Sequence, residues 1–458
     1  MKVSIILAAG EGSRMKSKKP KVIHEILGKP MLGYVIDAAR SSHSDRISIV
    51  IGHGKELIQE RFENAEVTFR NQPIGEGEPY GTGFAVMQAL DDFQDDDTVL
   101  ILTGDTPLIT AETLEGLADY HERGHFACTI LTADMNNPTG YGRIVRNDAA
   151  DIMAIVEEKD ASAKEKIIRE INSGIFAFQG KALREALGHL NTDNASGELY
   201  LTDVVEYFSQ QGERIGGFKL CNNLEIHGIN SRDALAKATE YMQRRVNAHY
   251  MKEGVTMIAP DTIVIEDGVV IGRDTVIYPG AILQGQTVIG EDCTIYGNTR
   301  IVDSVIGDDV TIDNAFIESS HVGDHTTVGP YAHLRPKSNV GCHVKIGNFV
   351  EVKNANFGDG SKAGHLAYIG DADVGENVNV GCGVVFVNYD GKNKYRSTVA
   401  DGAFIGSNAN LVAPVTVEKN GYIAAGSTIT SDVKADQLAV ERAPRRDVDG
   451  WVSRKGLK

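Results

Sequence analysis

The chain has 458 residues, 42% of them apolar and 24% charged, and its 63 acidic against 46 basic residues give a formal net charge of −17. A single hydrophobic core stops growing near about 250–300 residues, so this length predicts at least two domains, and the ordinary apolar fraction argues against a largely disordered chain. The negative charge disfavours a general nucleic-acid-binding protein, which needs a basic face for the phosphates.

The sequence also carries signals of location. No run of about 18 or more apolar residues occurs, so we expect no transmembrane helix, and the apolar start of the chain ends too soon, at Glu11, to be a signal peptide. The five cysteines are widely spaced and form no Cys-x-x-Cys pair, which predicts free thiols in a reducing cytoplasm and argues against a disulfide framework or a zinc site. We therefore expect a cytoplasmic protein with no nucleic-acid and no membrane partner.

Residues 1–230 alternate short aliphatic runs with helical patterns. Strands are predicted over residues 3–8, 47–51 and 98–102, and a helix over residues 31–40. This alternation predicts an α/β domain with a mostly parallel sheet covered by helices, in which ligands bind at the carboxyl ends of the strands. Two polar turns, Gly10-Glu11-Gly12 and Gly104-Asp105, follow such ends and are candidate binding loops.

A stretch rich in helix formers separates two regions of different composition. Residues 231–250 contain no Gly or Pro and predict one long helix that starts after Ser231 as its N-cap. We therefore divide the chain into an N-terminal domain over residues 1–229, a linker helix over residues 230–250 and a C-terminal domain over residues 251–458.

Aliphatic residues recur every six positions in the C-terminal half. Three uninterrupted series occur, at residues 265, 271, 277, 283, 289, 295 and 301, at residues 322, 328, 334, 340, 346 and 352, and at residues 405, 411, 417, 423 and 429. A period of six fits neither an α-helix nor a two-faced sheet, and it predicts a parallel β-helix with the aliphatic side chains inside. A Gly or Asn next to the aliphatic residue is expected to relieve a tight corner, since Gly tolerates positive φ.

Such a solenoid has a continuous core but no deep pocket within one chain, so a binding site must come from an inserted loop or a neighbouring subunit. The repeat breaks at residues 388–395 and resumes at Phe404. We therefore expect this insertion to be the functional loop of the C-terminal half.

The first predicted strand runs into the loop Leu7-Ala-Ala-Gly-Glu-Gly-Ser-Arg-Met15. The loop lacks the third glycine of a dinucleotide fingerprint and the Gly-Lys-Ser/Thr of a P-loop. Five cations lie close together in an otherwise acidic chain: Arg14, Lys16, Lys18, Lys19 and Lys21. A charge run usually forms a solvated face, but backbone N–H groups at a strand end favour anions, so we interpret the segment as a phosphate cradle.

These residues match a known family. The loop and the following Lys19-Pro20-Lys21 resemble the signature of nucleotidyltransferases that make nucleoside-diphosphate sugars. With the six-residue repeat, residues 3–450 resemble the bacterial bifunctional N-acetylglucosamine-1-phosphate uridyltransferases and glucosamine-1-phosphate N-acetyltransferases. The resemblance implies an α/β nucleotidyltransferase domain with a Rossmann-like sheet, followed by a left-handed parallel β-helix of hexapeptide repeats. It also implies UTP, glucosamine-1-phosphate, N-acetylglucosamine-1-phosphate and acetyl-CoA as substrates, and Mg²⁺ as cofactor.

The resemblance assigns roles in the N-terminal domain. It makes Arg14 and Lys21 catalytic, Arg14 by neutralising the departing pyrophosphate and Lys21 by gripping the α-phosphate of UTP. Asp105 and Asn230 match the Mg²⁺ ligands, a sparse oxygen set of the kind that Mg²⁺ accepts together with substrate phosphates. The residues implied to bind UTP or UDP-N-acetylglucosamine are Leu7, Ala8, Ala9, Gly10, Lys21, Gln72, Gly81, Thr82, Gly142, Glu157, Asn172 and Asn230.

One segment departs from the family pattern. The family usually has two nearby glutamines before the Gly81-Thr82 turn, whereas residues 71–80 form a longer segment here. We interpret Gln72 as the uracil-reading residue, acting from a shifted position. Selectivity for uridine over thymidine stays open at this point.

A histidine and several cations define a candidate second site. Coils of about 18 residues, three repeats each, place Arg335 and Lys353 one turn apart on one face, where two cations can clamp one phosphate. His365 interrupts the aliphatic register nearby, and an imidazole that titrates near neutrality can accept a proton from an attacking amine. On this pattern alone, a structural role for a lone histidine is the more common outcome.

The resemblance gives this second site its roles. It makes His365 the general base and implies that glucosamine-1-phosphate is held by Arg335, Lys353, Tyr368, Asn379 and Lys394. Contacts to acetyl-CoA are implied for Cys382, Asn388, Tyr389, Ser407, Ala425 and Arg442. Cys382 stands where the family has alanine or a similar small residue, and we interpret it as a small apolar substitute and not as a covalent nucleophile.

The hypothesis from sequence is a bifunctional enzyme that acetylates glucosamine-1-phosphate and then couples the product to UTP. One alternative is a pyrophosphorylase whose β-helix serves only assembly or regulation. Another is a non-catalytic binding subunit with the β-helix as a scaffold. Because the family packs as trimers with sites between subunits, the resemblance also predicts a homotrimer.

Overall fold

A computed structural model of the protein describes residues 1–75 and 77–456. The chain divides into two compact units, Met1–Met242 and Gln243–Lys458, and the division falls within one long helix, Arg232–Lys252. The N–H of Ala234 donates to the hydroxyl of Ser231 (3.4 Å), as expected for an N-cap. None of the helices within the described residues is long and apolar enough to cross a membrane.

The first unit is an α/β structure. Its strands are β1 (Lys2–Ala8), β2 (Glu25–Ile26), β3 (Lys29–Pro30), β4 (Arg46–Ile51), β5 (Thr68–Asn71), β6 (Thr98–Thr103), β7 (Cys128–Asp134), β8 (Arg143–Arg146), β9 (Ile152–Val156), β10 (Glu170–Gln179) and β11 (Ile215–Lys219). Its helices are α1 (Met31–Ser41), α2 (Lys55–Arg61), α3 (Thr82–Met87), α4 (Ala111–Gly124), α5 (Gly180–Leu187) and α6 (Asp203–Gln211), and the long helix Arg232–Lys252 is α7. Short 3₁₀ turns occur at Ser13–Met15, Lys21–Ile23, Leu90–Asp92, Glu165–Ile167 and Asn223–Ile226.

Nine of these strands form one mixed sheet. The strand order is β11-β7-β10-β6-β1-β4-β5, with β8 paired to β10 and β9 paired to β8. β1 is central and parallel to both β4 and β6, and its consecutive residues from Val3 to Ile6 are all buried, as in a strand covered on both faces. β10 is antiparallel to β6 and β7. The prediction of a mostly parallel sheet is confirmed.

The strand order determines where a site can form. β1 and β6 are parallel neighbours, so the loop after Ala8 and the turn after Thr103 open at the same edge of the sheet. β10 has an irregular register between Asn172 and Phe176, which redirects its side chains next to that edge.

The second unit is a parallel β-helix of three sheets. The strands of the first sheet are Thr256–Met257, Val276–Ile277, Thr294–Ile295, Thr311–Ile312, Thr327–Val328, Lys345–Asn348, Lys362–His365, Asn379–Val380, Phe404–Ile405, Tyr422–Ile423 and Leu438–Ala439. Those of the second are Val264–Ile265, Ile282–Gln284, Arg300–Val302, Phe316–Glu318, His333–Leu334, Glu351–Lys353, Tyr368–Gly370, Val385–Val387, Asn410–Val412 and Thr428–Ile429. Those of the third are Val270–Ile271, Val288–Ile289, Val305–Ile306, His321–Val322, Asn339–Val340, Asn356–Phe357, Ala372–Val374, Ser397–Val399 and Thr416–Val417. A 3₁₀ turn at Pro260–Thr262 and a short helix α8 (Trp451–Arg454) complete the unit.

The coils follow the predicted period. Val264 pairs in parallel with Ile282, one coil of three repeats later. The aliphatic residues of the three six-residue series are all buried, with at most 7% exposure. The prediction of a left-handed parallel β-helix is confirmed.

The glycines that follow the buried aliphatic residues have a different role from the expected one. Gly272 and Gly290 do not have positive φ; a Cβ on Gly272 would lie 2.6 Å from the carbonyl of Gly290 in the next coil. Positive φ occurs instead two residues later, at Asp274 (φ 60°) and Asp292 (φ 57°). The corner explanation is therefore wrong at Gly272 and Gly290, where glycine permits the close approach of successive coils.

The insertion lengthens one coil. Val374 pairs with Val399, a spacing of 25 residues. Within it, Tyr389 and Lys394 form an antiparallel bridge, and the N–H of Tyr395 donates to the carbonyl of Asn388 (2.9 Å). Residues 388–395 therefore form a small hairpin on the side of the β-helix.

Candidate active sites

A cavity of about 260 Å³ opens at the carboxyl edge of the sheet in the first unit. Its walls combine the loop after β1, the turn before α3 and the end of β6. The predicted residues that line it are Leu7, Ala8, Ala9, Gly10, Lys21, Gln72, Gly81, Thr82 and Asp105. Residues from widely separated segments thus meet in one cavity, because the strands that carry them end at one edge.

The turn before α3 needs glycine at one position. Gly81 has a φ of 124°, and a Cβ there would lie 2.4 Å from the carbonyl oxygen of Leu199. The N–H of Leu199 donates to the carbonyl of Tyr80 (2.8 Å), and its own carbonyl accepts the N–H of Gly83 (2.8 Å). These contacts hold the turn tightly against the segment that precedes α6.

Lys21 joins the two residues predicted to hold the metal ion. Its Nζ donates to Oδ2 of Asp105 (2.6 Å) and to Oδ1 of Asn230 (2.9 Å). The Lys21 and Asp105 side chains are only 16% and 15% exposed, so solvent screens this contact weakly. Two oxygens from distant segments converge here on one cation, an ammonium, and this donor set fits a divalent cation such as Mg²⁺.

A second cavity of about 200 Å³ adjoins the first, since Leu7, Thr82 and Thr103 line both. The predicted residues that line it are Gly142, Glu157 and Asn172. Burial raises the pKa of the Glu157 carboxyl above its usual value. The backbone N–H of Asn172 donates to the carbonyl of Gly142 (2.9 Å), which ties β10 to the turn before β8.

Two predicted residues do not line either cavity. Arg14 is exposed on the 3₁₀ turn that follows the glycine loop. Asn230 reaches the first cavity only through its contact with Lys21.

Other lining residues were missed by sequence reasoning. Thr103 ends β6, and the rule that ligands bind at strand ends could have identified it. Glu198 and Thr202 come from the segment between α5 and α6, which carries no recognisable motif. Tyr141 and Ser173 flank predicted residues and line the second cavity as well.

In the second unit, the strand register places the predicted Arg335 and Lys353 in neighbouring coils, but only Lys353 lies beside a further cation. Leu334 pairs with Val352, so Arg335 and Lys353 are neighbours in successive coils. The Arg335 guanidinium, however, donates to Oε1 of Glu351 (2.8 Å). Lys353 lies beside Lys394 of the hairpin, and its ammonium lowers the pKa of the Lys394 side chain. A pair of adjacent ammonium groups favours a bound anion such as a phosphate.

His365 is exposed and has a defined orientation. Asn348 and His365 are paired in register, and Nδ1–H of His365 donates to Oδ1 of Asn348 (2.7 Å). This contact leaves Nε2 as the nitrogen with a free lone pair, which is the form a general base requires. Asn348 carries no sequence signal and was not predicted.

The predicted Tyr368 and Asn388 meet at a buried carboxylate. Asn388, only 8% exposed, donates through Nδ2 to Oδ2 of Asp371 (2.5 Å) and lies 3.4 Å from the hydroxyl oxygen of Tyr368. The other carboxylate oxygen of Asp371 accepts from Asn354 (2.5 Å). Asp371 therefore fixes the first residue of the hairpin, while Tyr389, the next residue, is exposed.

The remaining predicted residues of the second site lie against equivalent positions in the next coil of the β-helix. Asn379 pairs with Phe404 of the next coil, and the carbonyl of exposed Cys382 accepts the N–H of Asn408 (2.7 Å). The carbonyl of Ser407 accepts the N–H of Gly426 in turn (2.8 Å). Cys382, Ser407 and Ala425 thus follow one another along a single edge.

Arg442 lies near the end of this edge. A Cβ atom placed on Gly426 would lie 3.7 Å from Cδ of Arg442.

Comparison with known proteins covers both units. Residues 4–173 match the family model of the MobA-like NTP transferase domain, and residues 265–357 match that of the GMPPB C-terminal domain. The chain is 52% identical over 455 residues to bifunctional protein GlmU of Clostridioides difficile (strain 630), which covers 99% of this chain and 98% of that protein. The same-named proteins of Alkaliphilus oremlandii (strain OhILAs) and Geobacillus sp. (strain WCH70) are 53% and 49% identical over 454 and 457 residues, again 99% of this chain and 98% of each relative.

Proposed function

The chain belongs to the bifunctional GlmU family, and we propose that its two units divide between them the two reactions by which it makes UDP-N-acetylglucosamine. One reaction transfers an acetyl group from acetyl-CoA to glucosamine-1-phosphate. The other transfers uridylyl from UTP to N-acetylglucosamine-1-phosphate and releases pyrophosphate. The observation that carries the assignment of uridylyl transfer to the first unit is the convergence of Lys21, Asp105 and Asn230 at two adjoining cavities.

In the first unit, the larger cavity holds UTP and the adjoining one holds the sugar. Gln72 and the Gly81-Thr82 turn contact the base, and the loop Leu7–Gly10 lies along the phosphates. A phosphate oxygen of the sugar phosphate attacks the α-phosphorus of UTP, and the bond to the β-phosphate breaks. Lys21 neutralises the α-phosphate and Arg14 the departing pyrophosphate, which is the main need of phosphoryl-type transfer.

The metal of this reaction is proposed to be Mg²⁺, held by Asp105 and Asn230. When bound, the ion supplies positive charge next to the nucleotide phosphates. The protein residues contribute the fixed direction of the two ligand oxygens.

In the sugar cavity, Gly142, Glu157 and Asn172 orient the sugar. The half-buried Glu157 accepts hydrogen bonds from sugar hydroxyls when it is ionised.

In the second unit, His365 acts as general base. Lys353 and Lys394 bind the phosphate of glucosamine-1-phosphate, with Arg335, Tyr368 and Asn379 around the sugar. The amine attacks the thioester carbonyl of acetyl-CoA while Nε2 of His365 takes its proton, and the carbon–sulfur bond breaks to release coenzyme A. Acetyl-CoA lies along the edge formed by Cys382, Asn388, Tyr389, Ser407, Ala425 and Arg442.

The assembly is proposed to be a homotrimer in the cytoplasm. Tyr331 and Phe349 stack at 5.5 Å in successive coils and are 60% and 55% exposed, and Leu366, at 59% exposure, continues the column next to His365. An apolar ridge of this kind beside a shallow site supports contact with a second copy. Analytical ultracentrifugation of the protein and of a Phe349→Glu variant tests this, because the variant is expected to dissociate.

The function is tested with the purified protein in two assays. Acetyl-CoA-dependent loss of the glucosamine-1-phosphate amine, followed by UTP-dependent release of pyrophosphate, is the expected result. Pyrophosphate release without acetyl transfer would favour a pyrophosphorylase with a structural β-helix, and neither activity would favour a binding subunit. A panel of UTP, dTTP, ATP and GTP then measures base selectivity.

A further inference from the structure

Arg143 is a buried cation beside the sugar cavity. It opens β8, is only 1% exposed, and is among the largest fully buried side chains of the chain. Its Nη2 donates to Oε2 of Glu158 (2.7 Å), and its Nη1 donates to the backbone carbonyl of Tyr141. Such a charge is costly to bury unless it is paired, so these contacts must be kept for the segment to fold as it does.

Glu158 connects the same guanidinium to a second segment. Its Oε2 also accepts the backbone N–H of Gly140 (3.1 Å), and the Arg143 guanidinium holds the pKa of the Glu158 carboxyl below its usual value. The ion pair therefore ties the turn at residues 140–142 to the segment that follows β9.

Both tied segments form the wall of the sugar cavity. Gly140, Tyr141 and Gly142 line it from the turn, and Glu157, which directly precedes Glu158, lines it from the other segment. Arg143 and Glu158 themselves do not line it. The pair can affect the sugar only through the position of its neighbours.

We propose that the Arg143–Glu158 ion pair is a positioning pair that sets the affinity and selectivity of the first unit for the sugar phosphate. The proposal rests on the proposed function of that unit in uridylyl transfer. It adds a determinant of sugar binding that touches no substrate atom.

The experiment compares Glu158→Gln and Arg143→Lys with the unmodified protein. Glu158→Gln keeps the side-chain shape and removes the charge. Arg143→Lys keeps the charge, but an ammonium lacks the planar set of N–H groups with which the guanidinium donates to two acceptors at once. The expected result is a rise of about 10–100-fold in KM for N-acetylglucosamine-1-phosphate. The KM for UTP and the acetyl transfer of the second unit are expected to change by less than about twofold, and the two substitutions together are expected to be less than additive.

A matched control exists on the same strand. Arg146 donates through Nη2 to Oε1 of Glu170 (2.8 Å), and neither residue lines the cavity. Glu170→Gln is expected to leave KM for the sugar phosphate unchanged. The proposal is overturned if Glu158→Gln leaves that KM unchanged, if Glu170→Gln raises it equally, or if the KM for UTP rises in parallel.

A binding measurement separates this proposal from the proposed function. Calorimetric titration of N-acetylglucosamine-1-phosphate gives its Kd without turnover, and the same ratio between variant and unmodified protein is expected. An unmodified protein that binds the sugar phosphate but releases no pyrophosphate would contradict the proposed function alone. An unchanged Kd in Glu158→Gln would contradict the positioning role alone, and this readout also serves if Arg143→Lys fails to fold.

Discussion

The ammonium of Lys21 lies 2.6 Å from the carboxylate of Asp105, although 84 residues separate them along the chain. Lys21 begins a 3₁₀ turn after the glycine loop, and Asp105 follows the carboxyl end of β6. The two segments meet because β1 and β6 are parallel neighbours. The contact therefore couples the phosphate cradle to the predicted metal ligand.

Replacement of Asp105 with alanine is expected to reduce uridylyl transfer by at least about 100-fold, as for the loss of a group that stabilises charge in the transition state. Acetyl transfer in the same polypeptide is expected to be unchanged. Pyrophosphate release and acetyl-CoA consumption, measured on one preparation, check both statements.

Asp134 offers a matched control for this change. It also lies at a strand end and contacts a lysine, with Nζ of Lys219 at 2.6 Å, but its side chain is 52% exposed. Asp134→Ala is expected to keep both activities, because exposed ion pairs contribute little. Loss of both activities from a folded Asp105→Ala variant would contradict the assignment of the two reactions to separate units.

His365→Ala is expected to lower acetyl transfer by about 10²–10⁴-fold, the usual contribution of a general base, and to spare uridylyl transfer. Asn348→Ala is expected to cost about tenfold, because it removes one hydrogen bond that orients the imidazole. The kcat of acetyl transfer as a function of pH is the measurement for both variants.

A neighbouring histidine controls for nonspecific effects. His343 stacks on His325 at 4.7 Å, elsewhere on the same β-helix. His343→Ala is expected to leave acetyl transfer unchanged. If Asn348→Ala lowered the kcat of acetyl transfer no more than His343→Ala does, the orienting role of Asn348 would be wrong.

The charge state of Asp203 is expected to make stability depend on pH. Burial, together with the nearby carboxylates of Glu206 and Asp160, raises the pKa of Asp203 from 3.8 to about 6, in spite of its position in the first turn of α6. The folded state therefore binds this proton more tightly than the unfolded state. Its contribution to stability is present below about pH 4 and is lost as the pH rises through about 6.

Asp203→Asn is expected to remove the loss of stability that the unmodified protein shows as the pH rises. At pH 7.5 the variant should gain about 1–3 kcal/mol in free energy of unfolding, with no gain at pH 4. Urea unfolding at both pH values measures the difference. Asp233→Asn, in the first turn of α7, should show no such gain, because the hydrogen bond from Ser231 lowers the pKa of Asp233; an equal gain in both variants would contradict the explanation.

The parts of the two sites that could be predicted are those with a local sequence signal. The glycine loop and Asp105 follow recognisable strands, and the strand-end rule brings them to one edge of the sheet. Asn348 and Glu198 could not be predicted, because they reach their sites only through coil stacking and a long connection. The role of Gly272 was misjudged for the same reason: the atoms that require it belong to the next coil.

Cys382 lies one coil beyond His365 in the β-helix register. Ala363 pairs with Val380 before these two residues, and the N–H of Gly383 donates to the carbonyl of Leu366 (2.7 Å) after them. The two contacts place Cys382 beside His365 in the next coil. The exposed thiol therefore lies next to the proposed acetyl-transfer site. Cys382→Ala is expected to keep acetyl transfer within about threefold, since a small apolar residue suffices at this position.

Alkylation of the Cys382 thiol tests the same position in the unmodified protein. N-ethylmaleimide is expected to block acetyl transfer by filling the acetyl-CoA edge and to spare uridylyl transfer, whereas Cys382→Ala should resist the reagent. Cys221→Ala, which removes the exposed thiol of the first unit, is the control and should stay sensitive. A loss of about 100-fold in acetyl transfer on Cys382→Ala alone would show instead that the thiol takes part in the reaction as a nucleophile.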